Sequence, residues 1–245
     1  MKTVSFLLLL LFGILTTAAT PSFPAAGDQT AVEGSDYTDG GRNAPATLLF
    51  ATDSEHLFVV WRNGQVQKRS LPHLSPVAGV DLKEPLQGAA LSHDGLFLAL
   101  GAPQSKHLLI LDTTDLHVVK QIPTHPTKKS TARVAHIETA AARNTFIITF
   151  SNAPQLWEVN YQMPPPAGFG NWVHDYRKDS GEAKITSFPV RKLWLGVVLP
   201  GFHLDREGVF VSGTDTQGSL VIFDLDLGRT TAIVPAASAT AGAVE

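Results

Sequence analysis

The sequence predicts an all-β chain built from propeller blades, on three observations. One unit recurs four times: a polar turn, a strand rich in Leu, Phe and Val, a second turn, then a strand often closed by Asp. The recurrence, at about 40 residues or more, is the spacing of propeller blades. No segment sustains a helical period. A β-sandwich uses similar strands but does not repeat this order of turns and strands so regularly.

In chain order, Met1-Lys2-Thr3 and the apolar run Val4 to Leu15, followed by Thr16-Thr17-Ala18-Ala19, have the charged start, apolar middle and small-residue exit of a secretory signal, so residues 1–19 are expected to be a signal peptide. Residues 20–45 are rich in Pro, Gly, Ala and Asp without hydrophobic period and are expected to form a flexible leader. The blade region spans 46–235. Its first unit is Ser54–Val60 with Gly64–Val66, joined by Asn63-Gly64, a hairpin pair. The second and clearest is Ser92–Leu100, Leu108–Asp112 and Leu116–Lys120, opening on Asp94-Gly95. The third is Asn144–Phe150 with Leu156–Val159, preceded by a strand at Ala132–Ile137; the fourth is Leu204–Ser212 with Leu220–Asp224. Residues 236–245 read as an unstructured tail. Asp112 and Asp224 close strands, where short carboxylates bond neighbouring backbone. Trp61 and Trp157 are expected to pack between blades.

Composition narrows the function classes. A net charge of −3 argues against a nucleic-acid surface. The absence of cysteine excludes disulfides, lipid on an N-terminal Cys, c-type haem, iron–sulfur clusters and thiolate zinc sites. An exported chain without disulfides fits the periplasm best. The N-terminal apolar run is too short to cross a bilayer alone, so no stable membrane span is expected. No phosphate loop, His-x-x-x-His pair, nucleophile elbow or EF-hand spacing occurs.

Three stretches carry a resemblance. They are Leu57–Val66 (LFVVWRNGQV), Ala132–Ile137 (ARVAHI), and Val173–Arg177 (VHDYR) with Phe188–Arg191 (FPVR). From about Leu48 to Pro235 the chain resembles the cytochrome d1 domain, an eight-bladed propeller, of which it is a shortened relative. The second and third stretches are most similar to the cofactor-assembly branch of that family. The resemblance implies a periplasmic protein of haem d1 maturation and denitrification that binds haem d1 or its dihydro precursor. In that role the tetrapyrrole is the ligand, and a second copy or another cytochrome d1-family protein is the partner. A propeller that has lost the chemistry and acts as an interaction module is the alternative.

Several ring carboxylates in a partly dry pocket require cationic partners, and guanidinium supplies permanent, bidentate contacts. The resemblance implies Arg62 and Arg133 as cofactor-facing, with His174, Arg177 and His203 as further cofactor-binding candidates. If a propionate side chain is oxidised, His174, beside Asp175, is the candidate base. The family's proximal histidine is expected just before Leu48, where Ala46 and Thr47 stand. Its distal histidine is expected near Leu199 and Pro200. Strict strand alternation places His136 on the side of its strand away from Arg133.

Overall fold

The computed structural model describes residues 45–101, 107–125, 131–164 and 187–236. They form four antiparallel sheets of four strands each. Blade 1 is β1 (Pro45–Phe50), β2 (His56–Trp61), β3 (Gln65–Ser70) and β4 (Ser75–Asp81). Blade 2 is β5 (Gly88–Leu91), β6 (Phe97–Gly101), β7 (His107–Asp112) and β8 (Val118–Pro123). Blade 3 is β9 (Val134–Ala140), β10 (Thr145–Phe150), β11 (Gln155–Asn160) and β12 (Val190–Trp194). Blade 4 is β13 (His203–Leu204), β14 (Phe210–Thr214), β15 (Leu220–Asp224) and β16 (Arg229–Val234). Among the described residues no helix is long and apolar enough to cross a membrane.

Each blade is a simple meander, and the first strands touch one another: β1 meets β5, β5 meets β9, and β9 meets β13. These four are therefore the inner strands, and β4, β8, β12 and β16 form the outer edge. The middle strands β6, β7, β10 and β11 are buried along nearly their whole length, because each has a blade on both sides. Their continuous apolar runs made them legible in the sequence. The inner strand of blade 2, Gly-Ala-Ala-Leu, was not, since small residues are needed where backbones approach closely. A Cβ at Gly101 would lie 2.3 Å from the Val134 side chain, and one at Gly88 3.1 Å from Ile137, so neighbouring blades close together only over glycine here.

Three apolar clusters fill the blade interfaces. Phe58, Val60 and Val66 meet Leu98, Leu100 and Leu111 between blades 1 and 2. Ile110, Ile122, Val134, Phe146 and Trp157 join blades 2 and 3, and Ile147, Leu156, Val211 and Phe223 join blades 3 and 4. At about 1.5–3 kcal/mol for each fully buried large side chain, these interfaces are the main source of stability. The two terminal sheet faces have no blade against them among the described residues, and they expose Leu48 and Phe50 on blade 1 and Phe210, Leu220 and Val234 on blade 4.

The turns follow the expected chemistry. Asp112 Oδ1 accepts from Thr114 N at 2.7 Å and Asp224 Oδ1 from Leu227 N at 2.8 Å, so both aspartates are structural. Tyr161, at the end of β11, accepts a bond from His93 N in blade 2 at 3.1 Å, and burial pushes its phenol up to about 12. A phenol raised on folding contributes stability that is complete below its unfolded value of about 10 and is lost as pH rises through the folded value. Stability should therefore fall between about pH 10 and pH 12, and Tyr161→Phe should flatten that fall. Denaturant midpoints across this range, with absorbance at the phenolate band, check it.

Candidate functional site

The meander fixes which side chains can share a site. All inner strands start at one rim, called here the entry rim, which also carries the turns between second and third strands. The opposite, exit rim carries the turn after each inner strand and the connections between third and fourth strands. Arg62, in the β2–β3 turn, and Arg133, just before β9, both lie at the entry rim. Both are exposed, and neither guanidinium bonds a described residue. The Arg62 carbonyl accepts from Leu86 N at 3.2 Å, which ties its turn to the start of β5. Arg133 is held by its backbone: its N–H donates to Asn152 Oδ1 at 2.7 Å and its carbonyl accepts from Ser151 N at 2.9 Å.

His174 and Arg177 lie outside the described residues. The ends of the segment that contains them are described, at Met163-Pro164 and Ser187-Phe188, between β11 and β12. Both ends therefore emerge at the exit rim, opposite Arg62 and Arg133.

A bulge in β9 changes the reading of His136. Thr149 pairs with His136, yet the next residue of β10, Phe150, pairs with Val134. Ala135 is the extra residue, so Val134 and His136 point to opposite faces. Val134 packs toward blade 2 with Ala132, and the exposed Arg133 between them projects to the other side. That is the side of His136, toward blade 4. Strict alternation, which separates the two, fails at this one residue.

Beside His136 the structure places a residue that sequence reasoning passed over. Glu138 Oε1 lies 3.0 Å from His136 Nε2 and 3.6 Å from His203 Nδ1, and Glu138 Oε2 accepts from Leu204 N at 3.1 Å. His136 also meets Phe202 edge to face, with ring centroids 4.9 Å apart. His203 opens the inner strand β13 and its side chain is 89% exposed, so it is available to a ligand at the inner wall. The signal for Glu138 was present as His-x-Glu in a strand, which puts both side chains on one face. His136, Glu138 and His203 thus form one polar group on the inner strands of blades 3 and 4, and Arg133 lies just before β9 at the entry rim.

The other polar cluster of blade 3 is structural. Glu158, fully buried on β11, lies 2.8 Å from Arg143 Nε and 3.6 Å from Arg191 Nη1. Arg143 also bonds Asp226, and Arg191 bonds the Leu225 carbonyl, both beyond β15. Burial works against the Arg143 charge, but the two carboxylates outweigh it and hold the guanidinium above its ordinary value. Arg191, within the FPVR stretch, is therefore a blade clamp. In the turn group Asp53, Glu55 and His56 the two carboxylates are exposed and the imidazole is half-buried; Asp53 caps its own turn, accepting from Glu55 N at 2.8 Å, and contacts His56 Nδ1 at 2.7 Å.

Where the family's proximal histidine is expected, Ala46 and Thr47 lie on inner strand β1 and offer no imidazole. Leu199, where the distal one is expected, is buried in the third interface. His203, four residues on, is the nearest imidazole at the inner wall.

Comparison with known proteins agrees with this architecture. The chain is 29% identical over 206 residues to dihydro-heme d1 dehydrogenase of Pseudomonas aeruginosa, an alignment covering 72% of this chain and 41% of that protein. It therefore spans about two-fifths of the length of that curated relative. Among solved structures, dihydro-heme d1 dehydrogenase in complex with DHE superposes with a TM-score of 0.65 at 22% identity, over 80% of this chain and 38% of that one. Hydrazine synthase of Kuenenia stuttgartiensis gives 0.58 at 12% identity, over 82% and 52% of the two chains. The β-propeller domain of Cps50 (Swd1) from Myceliophteria thermophila gives 0.57 at 13% identity, over 80% and 56%. At these identities the superpositions establish the propeller fold alone. The profile of the cytochrome D1 heme domain matches residues 27–181, and with more than half of the chain inside that match and four consecutive blades in place, the chain belongs to the cytochrome D1 heme domain family.

Proposed function

We propose that this chain is a periplasmic protein that binds haem d1 or its dihydro precursor during maturation of that cofactor. The observation that carries the reading is Arg133: a guanidinium with no partner among the described residues, at the mouth of inner strand β9, on the same side as the imidazole of His136. The residues present fit part of such a ligand. Arg133 and Arg62 suit the ring carboxylates, and His203 is the exposed imidazole at the inner wall. When bound, the tetrapyrrole supplies an iron centre and a redox-active ring; the protein contributes charge neutralisation, orientation and exclusion of water. The exposed Phe50 and Phe210 on the two terminal faces suit a partner that continues the ring, either a second copy or another cytochrome d1-family chain.

A second reading, a propeller that serves as an interaction module, is favoured by one specific feature: inner strand β1 has no imidazole at Ala46 or Thr47. A spectral titration of the purified protein with haem d1 and with haem b separates the two. Binding selective for haem d1, weakened roughly 10-fold or more by Arg133→Ala as expected for a charge-assisted contact, supports the binding reading. Equal weak binding of both haems, unchanged in Arg133→Ala and Arg62→Ala, favours the module.

A further inference from the structure

The inner strands touch in the series β1, β5, β9 and β13, so the four blades form an arc with one open face at each end among the described residues. We propose that a second copy of this chain closes both ends: the open face of blade 1 packs on the open face of blade 4 of the other copy, twice over, making a two-chain ring. This names the occupant left open in the partner reading above, and it rests on the blade repeat rather than on the tetrapyrrole.

The repeat identifies what each face is shaped to meet. On blade 1, cross-strand pairing sets Leu48 beside Val59 and Phe50 beside Leu57 on the open side. Counted from Asp53 and Asp94 in the preceding turns, Leu57 and Val59 hold the positions of Leu98 and Leu100, which pack on blade 1. The open side of blade 1 is therefore the side that receives a preceding blade. On blade 4, Leu220 and Ile222, counted back from Asp224, hold the positions of Leu108 and Ile110, counted back from Asp112. Leu108 and Ile110 pack on blade 3, and Phe210 takes the place of Phe97, whose ring meets Phe188 edge to face at 5.0 Å. The open side of blade 4 is thus the side that receives a following blade. One chain carries both halves of a single blade contact at opposite ends of its arc, and a second copy supplies each half to the other.

Ring size agrees. Propellers hold about four to eight blades. An arc of four that stays open is not the smallest ring, two copies make eight, and three copies exceed the range. A face of four strands, about five residues each, covers roughly 15 Å by 17 Å. Two such contacts bury on the order of 1,000 Å² in all, the size of a specific interface. Making both contacts within one pair also prevents the open filament that a head-to-tail contact otherwise builds.

The test is light scattering during gel filtration of the purified full chain, without tetrapyrrole, over a wide range of concentration. The expected mass is twice 26.3 kDa. Phe50→Glu and Phe210→Lys each put a charge into an apolar contact and should weaken pairing roughly tenfold or more. Phe50 is 65% and Phe210 41% exposed, so neither change opens the core, and circular dichroism checks that both variants fold. An equimolar mixture of the two should pair again, because one of its two contacts is unaltered and the other joins opposite charges. A monomer at every concentration overturns the proposal and leaves the faces to another chain or to other segments of this one. So do a pair that neither substitution weakens, a pair that only one of them weakens, which means like faces meet, and assemblies that grow without limit. With no tetrapyrrole present, a monomer leaves the haem titration standing, and failure of that titration leaves the ring standing.

Discussion

Glu158→Ala is expected to destabilise the protein by about 3–5 kcal/mol, the cost of removing one partner from a buried ion pair. Glu158 has no exposed surface, and it is the shared anion of two guanidiniums, at 2.8 Å and 3.6 Å. Thr145 adds a hydroxyl at 3.3 Å. Without the carboxylate, Arg143 and Arg191 keep their contacts to blade 4 but remain partly buried with too little negative charge between them. In a chain of this size each kcal/mol shifts the melting temperature by about 2–4 °C, so a fall on the order of 10 °C follows. Asp226→Ala is the informative contrast. That carboxylate is 58% exposed and among the described residues pairs with Arg143 alone, so its loss should cost no more than about 1 kcal/mol. Chemical denaturation of both variants checks the pair. A Glu158→Ala change under about 1 kcal/mol would mean that desolvation cancels the attraction and that the clamp is not what joins blades 3 and 4.

Trp157→Ala should cost a similar amount, about 3–5 kcal/mol, through a different mechanism. Trp157 is fully buried and packs edge-on against Phe150, with ring centroids 4.9 Å apart. Lys192 Nζ lies 4.1 Å from its ring centroid, and burial lowers the Lys192 pKa. Truncation removes the largest side chain of the interface between blades 2 and 3 and takes the ring from beneath that lysine. Trp157→Phe, which keeps most of the apolar volume, should recover much of the loss. Urea midpoints for the two variants test this; equal losses would show that the indole N–H, which donates to Gln155 Oε1 at 3.0 Å, matters more than the filled volume. Two adjacent residues of β11 thus fasten blade 3 to both neighbours. Trp157 does so with apolar surface on one side, and Glu158 with charge on the other.

Much of the blade architecture was legible in the sequence, for reasons that particular residues make plain. Strands such as Phe97–Gly101 and His107–Asp112 are buried on both faces and so write themselves as continuous apolar runs, the first of them opened by the Asp94-Gly95 turn. Outer strands such as Arg229–Val234 are exposed and mixed, and left a weaker trace. Glu158 was not singled out because a carboxylate in a strand reads as solvent-facing until the arginines that neutralise it, one 15 and one 33 positions away in the chain, are seen to converge on it. Arg62 and Arg133 were found through the family resemblance, and the structure leaves both exposed at one rim.

By itself the sequence determined the all-β blade repeat, the absence of thiol chemistry, and the two arginines of the family motifs, because these depend on local pattern and composition. Tertiary structure alone decided which side chains meet. The bulge at Ala135 turns His136 to the side of Arg133, and the docking of β13 on β9 brings His203 and the Leu204 amide to Glu138. Register and inter-blade contact join residues some 65 positions apart, and no local propensity encodes such a meeting.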